Sequence, residues 1–229
     1  MRKKLRSYIL NAGALILLYA LIMALVGGGA INKYYQGILL SVGIAIIMAV
    51  SLNLTTGILG QLALGHAGFM SIGAYSAALF SIHIGAEVRA IFPLSLLVGG
   101  LVAALFGLVI GVPALRLKGD YLAIITLGFG EIIRVLITNL AFTGGAKGLR
   151  GIPRVTTFSY VYVVVALVVA VMFTLGRSRH GRAILSIREN EVAAEASGIP
   201  TTYYKIFAFT LAALIRQSAA YREENELTI

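Results

Sequence analysis

The sequence predicts an all-α fold, a polytopic helical membrane protein. Three observations carry that expectation. Of the 229 residues, 59% are hydrophobic and only 12% charged, against about 45–50% apolar and roughly 25% charged in soluble domains. The apolar residues gather into runs of about 20, the length a helix needs to cross a bilayer. The 26 glycines make up about 11% of the chain against an average of roughly 7%, and small residues are what let membrane helices pack closely. A barrel would instead show alternating segments of about 10 residues. The formal net charge of +10 does not point to nucleic acid, because the basic residues stand at the ends of apolar runs, as the positive-inside rule requires. With no cysteine, disulfides, thiolate nucleophiles and Cys-ligated metals are excluded.

Six spans are expected, at 8–26, 36–54, 62–84, 91–113, 121–140 and 158–175. The first follows MRKKLR and exceeds the 7–15 residue core of a signal peptide, so it reads as a retained anchor. The third carries His66, several serines and three glycines, and is expected to be partly re-entrant. In the fourth, Gly99, Ala103, Gly107 and Gly111 form a ridge on one face, which predicts tight packing against a neighbour. Residues 206–215 are apolar but too short to span; they are either half of a seventh span or a short amphipathic tail.

The basic residues set the orientation. With the N-terminus inside, the inner segments hold Arg2, Lys3, Lys4, Arg6, Arg116, Lys118, Arg177, Arg179, Arg182, Arg188 and Lys205. The outer loops hold only Lys33, Arg89, Lys147, Arg150 and Arg154. A cytoplasmic N-terminus is therefore expected.

Few residues in the spans carry chemistry. Glu131 and Arg134 lie three apart on one helix face, and ionisable groups in a span mark either a pathway or a paired structural contact. Gly128 and Gly130 before them allow a helix break or the approach of another backbone. Asn53, Thr55, Thr56 and Gln61, with Gly57 and Gly60, form a polar glycine-rich connection suited to lining a water-accessible passage. His66 is the one histidine deep in an apolar segment, and a hydrogen bond to backbone or to a neighbouring span is its expected role. A candidate translocation path thus comprises Asn53, Thr56, Gln61, His66, Glu131 and Arg134. No HxxxH or HExxH spacing supports a metal, no GxSxG a hydrolase, and no GxxxxGKS/T a P-loop. Any work must draw on a gradient or a partner.

GRAILSIRENEVAAEASGIP, residues 181–200, stands apart from the spans. As a helix over 182–197 it places Leu185, Val192 and Ala196 on one side, with Ile199 just beyond and Arg188 and Glu191 at pairing distance. A helix lying on a membrane would be basic over its polar face, whereas this one carries three glutamates. Gly198 and Pro200 end it. A short helix of mixed charge with a modest apolar side suits docking into a groove on a soluble partner.

SLNLTTGILGQLALGHAGFMSIGAYSAAL (51–79), RLKGDYLAIITLGFGEIIRVLITN (116–139), FTGGAKGLRGIPR (142–154) and GRAILSIRENEVAAEASGIPTTYYKIFAF (181–209) occur in an order that resembles the LivM-type permeases, the membrane subunits of branched-chain amino-acid ATP-binding cassette (ABC) importers. The resemblance covers about residues 35–213. It implies a type II importer-like helical fold, with residues 1–215 as one transmembrane permease domain and a cytoplasmic coupling loop near 176–205. It also implies a heterodimer with a related permease subunit, two cytoplasmic ATPase subunits that bind ATP and Mg, and an external binding protein. This chain itself would bind no cofactor and be no enzyme. Its location would be a bacterial-type inner membrane and its cargo leucine, isoleucine and valine, although related systems carry other amino acids, amides or urea.

By the same resemblance, Arg188, Glu189, Asn190, Glu191, Glu195 and Gly198 belong to the ATPase-coupling segment. Its likeness to the EAA loop of other importers is loose, because Gly198 follows Glu191 by seven residues where six is the pattern. The family continues after AFTLAA with a glycine- and alanine-rich span and further helices, so the polar run 216–229 predicts a chain truncated or altered after about residue 213. Three other classes are open. A gradient-driven transporter or channel would need no ATPase. A membrane enzyme would use His66 and Glu131. A non-functional fragment would not assemble.

Overall fold

The computed structural model describes residues 2–28, 31–84, 88–115, 117, 120–149 and 157–220; at residues 2–12, 14, 66, 88–92, 120, 146 and 218–220 it describes the backbone alone. Arg116, Lys118, Arg150 and Arg154, counted in the orientation argument, lie outside the described residues, as do 221–229 of the expected tail. Nine α-helices follow one another among the described residues: α1 (Arg2–Gly27), α2 (Lys33–Leu52), α3 (His66–Ile84), α4 (Val88–Ala114), α5 (Asp120–Asn139), α6 (Phe158–Arg177), α7 (Arg179–Glu189), α8 (Glu191–Ala196) and α9 (Thr201–Ala220). Among them no strand occurs. Among the described residues, five helical segments are long and apolar enough to cross a membrane: Lys33–Ile58, Ala67–Ile84, Pro93–Ala114, Tyr121–Asn139 and Phe158–Arg177. The span expected at 8–26 coincides with α1, whose described apolar part is Leu15–Gly27. The chain is a multi-pass helical membrane protein. Leu97, Leu101, Leu105 and Val109 on α4, and Val163 and Leu167 on α6, are exposed as lipid-facing side chains should be.

The α2–α3 connection departs from regular helix. Residues Asn53–Ile58 form a π-helical turn continuous with α2. Thr55 and Thr56 turn their hydroxyls back onto the Leu52 carbonyl, at 3.0 and 2.8 Å, a local bond that competes with the helical ladder. Beyond the turn, 60–64 have no regular structure and run beside α5, where the Leu64 amide donates to Thr126 Oγ1 at 3.0 Å. Thr126 lies six residues into α5, about 9 Å along its axis. The Gln61 amide is bonded to the Thr55 carbonyl and the Leu64 amide to α5, so part of the non-helical backbone is satisfied by protein, as membranes require of it.

α9 holds the bundle together. Ala208, Ala212 and Ile215 pack with Ile47, Leu54 and Leu59 of the α2 arm, Val168 and Met172 of α6, and Ile184, Ile187 and Ala194 of α7 and α8. Phe209 and Ala213 pack into a second cluster with Phe69 of α3, Ile110 and Ala114 of α4, and Leu122 and Ile133 of α5. The Phe69 and Phe209 rings meet edge-to-face at 5.4 Å, and Ser51 Oγ donates to the Ala212 carbonyl at 2.8 Å. The small-residue ridge of α4 faces this helix. A Cβ on Gly107 would lie 3.0 Å from Ala213 Cβ, one on Gly111 would lie 3.1 Å from Phe209, and Ala103 is fully buried. The ridge is a packing surface. Residues 206–215 are accordingly not a short amphipathic tail; they form the middle of a central helix about 30 Å long. That helix runs through the boundary expected at 215, with Arg216 and Gln217 buried inside it.

Candidate functional site

The helix expected over 182–197 is two helices. Ser178 caps α7 by accepting from the Gly181 amide at 3.0 Å. At Asn190 the backbone turns extended (φ −159°, ψ 108°), and its Oδ1 accepts from the Ala193 amide at 3.1 Å, capping α8. The break resets the helical phase, so the face read across it does not exist. The buried residues are Ile184, Ile187 and Ala194, whereas Val192 is 69% exposed and Ala196 is exposed. The Arg188–Glu191 pair is absent for the same reason. Gly198 closes α8 at φ +80°, with its amide bonded to Glu195 O and the Ile199 amide to Ala194 O.

Arg188, Glu191 and Glu195 are tied instead to other elements, while Glu189 is bonded to Arg188. Arg188 Nη1 donates to the Gly57 carbonyl of the π-helical turn at 2.7 Å, and its Nη2 donates to Glu189 Oε1 at 3.0 Å. The Arg188 stem lies over Gly60, at φ +74°, where a Cβ would collide with it. Lys205 Nζ of α9 donates to Glu191 Oε1 at 2.7 Å; the lysine is 3% exposed and the glutamate 25%. Thr201 Oγ1, also on α9, donates to Glu195 Oε1 at 2.6 Å. The His180 ring of α7 sits 5.9 Å from the Tyr204 ring. Two short helices are therefore clamped to α9 at three points and to the α2–α3 connection at one. On α8 and its C-cap, Val192, Ala193, Ala196 and Ser197 are exposed.

Sequence reasoning missed Lys205 and Thr201 as members of this site. Lys205 entered only as a charge near a span end, although a lysine within an apolar helix is itself a signal for a carboxylate partner.

Of the six residues expected along one path, Glu131 and Arg134 are brought together. Glu131 Oε2 accepts from Arg134 Nε at 2.8 Å, so the pair forms as its spacing predicted. It lines a groove of about 310 Å³ between α3 and α5, together with Leu64, Gly65, Gly68, Met70 and Thr138. Gly130 admits the backbone of α3, since a Cβ on Gly68 would lie 2.9 Å from Gly130 Cα; α5 runs unbroken through Gly128. His66 opens α3, and its side chain lies outside the described residues. Asn53 and Thr56 belong to the π-helical turn, where Thr56 is bonded to Leu52 and Asn53 packs against Gly57. Gln61 is half-buried with its Oε1 lacking a partner among the described residues. Among those residues no group of His, Cys, Asp and Glu could hold a metal ion.

Residues 34–215 match the family described as "Branched-chain amino acid transport system / permease component". The chain belongs to this permease family. It is a family of transport subunits, not of enzymes. Similar proteins include the high-affinity branched-chain amino acid transport system permease protein LivM of Salmonella typhimurium, 37% identical over 205 residues, and its Escherichia coli namesake, 36% identical over 205 residues. In both cases the alignment covers 74% of this chain and 47% of the relative, so the chain spans about half the length of the curated relatives it matches. No solved structure matches it significantly. The matched permease segment contains both the clamped helices and the α3–α5 groove.

Proposed function

We propose that this chain is a permease subunit of an ABC importer that passes branched-chain amino acids, with α7 and α8 as the surface gripped by cytoplasmic ATPases. The observation that carries this reading is the clamp. A short helix pair exposes Val192 and its neighbours on one side and is fastened on the other by Glu191–Lys205 and Glu195–Thr201 to the helix joining both core clusters. Force applied to α8 reaches the bundle through α9 and the α2–α3 connection through Arg188. The named relatives, which are permease proteins of branched-chain amino-acid transport, support the cargo. A related permease subunit, two ATPases carrying ATP and Mg, and an external binding protein complete the assembly on this reading. The inner membrane is its location and the N-terminus is cytoplasmic, on the side of α7 and α8. Of the expected path residues, Glu131 and Arg134 line the passage.

The test is co-purification of the chain with its partner permease and ATPases, comparing wild type with Val192→Asp. That substitution alters the exposed face and leaves every clamp bond in place. Loss of the ATPases in the variant, with the permease pair retained, is expected. ATPase recovery equal to wild type would remove α8 as the gripping surface. Leucine uptake by proteoliposomes lacking the ATPases would favour a gradient-driven transporter.

A further inference from the structure

α5 carries an ion pair where a bilayer does not accept one. Glu131 lies about half-way along this membrane-spanning helix, yet its side chain is 57% exposed and that of Arg134 is 69% exposed. Charges at that depth face protein or water rather than lipid. The pair is also only half used. Arg134 reaches Glu131 through Nε alone, so Nη1, Nη2 and Glu131 Oε1 have no partner among the described residues. Beside them the groove is walled by Leu64, Met70, Leu127 and Ile137.

We propose that this groove binds the zwitterion of an aliphatic α-amino acid. The α-carboxylate accepts from Arg134 Nη1 and Nη2, the α-ammonium donates to Glu131, and the branched side chain lies along Leu64, Met70, Leu127 and Ile137. The assignment rests on the permease reading above and adds to it the groups that recognise the cargo. Opposite charges on neighbouring turns match a ligand that carries both charges on groups bonded to one carbon. Such a ligand brings no net charge into a low-dielectric passage, and each of its charged ends gains a charge-assisted hydrogen bond. A monocation or monoanion of the same shape would satisfy one partner and leave the other charge unpaired. The groove therefore selects the doubly charged backbone common to amino acids, while the apolar wall accepts the side chain.

The experiment is photolabelling of the assembled importer, with partner permease and ATPases, by a diazirine analogue of leucine that keeps both backbone charges. Labelling is expected on α3 and α5 peptides. Excess leucine should block it, whereas isopentylamine and 4-methylpentanoate, each lacking one charge, should not. Glu131→Gln and Arg134→Gln should each lower labelling by at least about tenfold, the loss of one charge-assisted bond, while Glu131→Asp and Arg134→Lys retain part of it. Equal labelling in the neutral variants, or equal competition by the singly charged compounds, would overturn the proposal. Labelling confined to other helices would also overturn it and leave the permease reading intact. Variants that lose the partner permease would overturn it in favour of a subunit contact. Wild-type importer that moves no leucine into proteoliposomes would instead sink the permease reading itself.

Discussion

Replacing Glu191 by alanine leaves Lys205 charged and buried with no carboxylate. The lysine is 3% exposed and its ammonium lies 2.7 Å from Glu191 Oε1. Breaking a buried pair by removing one partner costs about 3–5 kcal/mol. Glu191 is 25% exposed, so water reaches the vacated side and the expected cost falls to about 2–3 kcal/mol. Lys205→Met keeps the apolar stem and leaves a glutamate that water can partly solvate, costing about 1 kcal/mol. The double replacement removes both charges and should also cost about 1 kcal/mol, giving a coupling energy of about 2–3 kcal/mol. The assay is reversible unfolding in mixed micelles at increasing dodecyl sulfate fraction, followed by helical circular dichroism. Single effects that simply add in the double variant would refute the argument, because the two charges would then not depend on each other.

Three further outcomes follow from the same geometry. Gly60→Ala places a Cβ at φ +74° and against the Arg188 stem; a loss of about 1–2 kcal/mol is expected in the same unfolding assay. Asn190→Ala removes the α8 cap, which is worth about 1 kcal/mol, and should raise amide exchange across 191–196 while 181–187 stay protected. The chain has no cysteine, so single cysteines report sidedness directly: an impermeant maleimide should label Lys147→Cys in intact cells and Ser197→Cys only after permeabilisation. Labelling of Ser197→Cys in intact cells would invert the orientation.

Length and hydropathy made the helices from 33 to 177 legible, since lipid-facing stretches must be continuously apolar. α9 escaped that logic. Its neighbours are other helices, so it is built of small residues such as Ala208, Ala212 and Ala213 and carries Lys205 and Arg216 within its length. The ridge of α4 was readable as packing, but not its partner, because a row of glycines records closeness and not identity. The i, i+3 rule found Glu131–Arg134 on a continuous helix and failed at Arg188–Glu191, where Asn190 ends one helix and caps the next. A polar residue between two amphipathic stretches looks the same in sequence whether it continues a helix or starts one. Asn53, Thr56 and Gln61 were grouped by nearness along the chain, which could not show that the first two sit in a π-helical turn and Gln61 in the irregular run after it.

The position of α9 gives the molecule a lever. Its first residues hold α8, and Ala212, some eleven residues on, is bonded to Ser51. Over about 30 Å of rigid helix, a tilt of about 10° at the clamped end displaces the far end by about 5 Å, roughly one helical turn. The α2 arm and the α3–α4–α5 group both rest on this shaft, along adjoining faces about 100° apart marked by Ala208 and Ala212 and by Phe209 and Ala213, so one tilt bears on both. On the proposed coupling, a small stroke at the surface thus becomes a larger displacement shared by both packed groups.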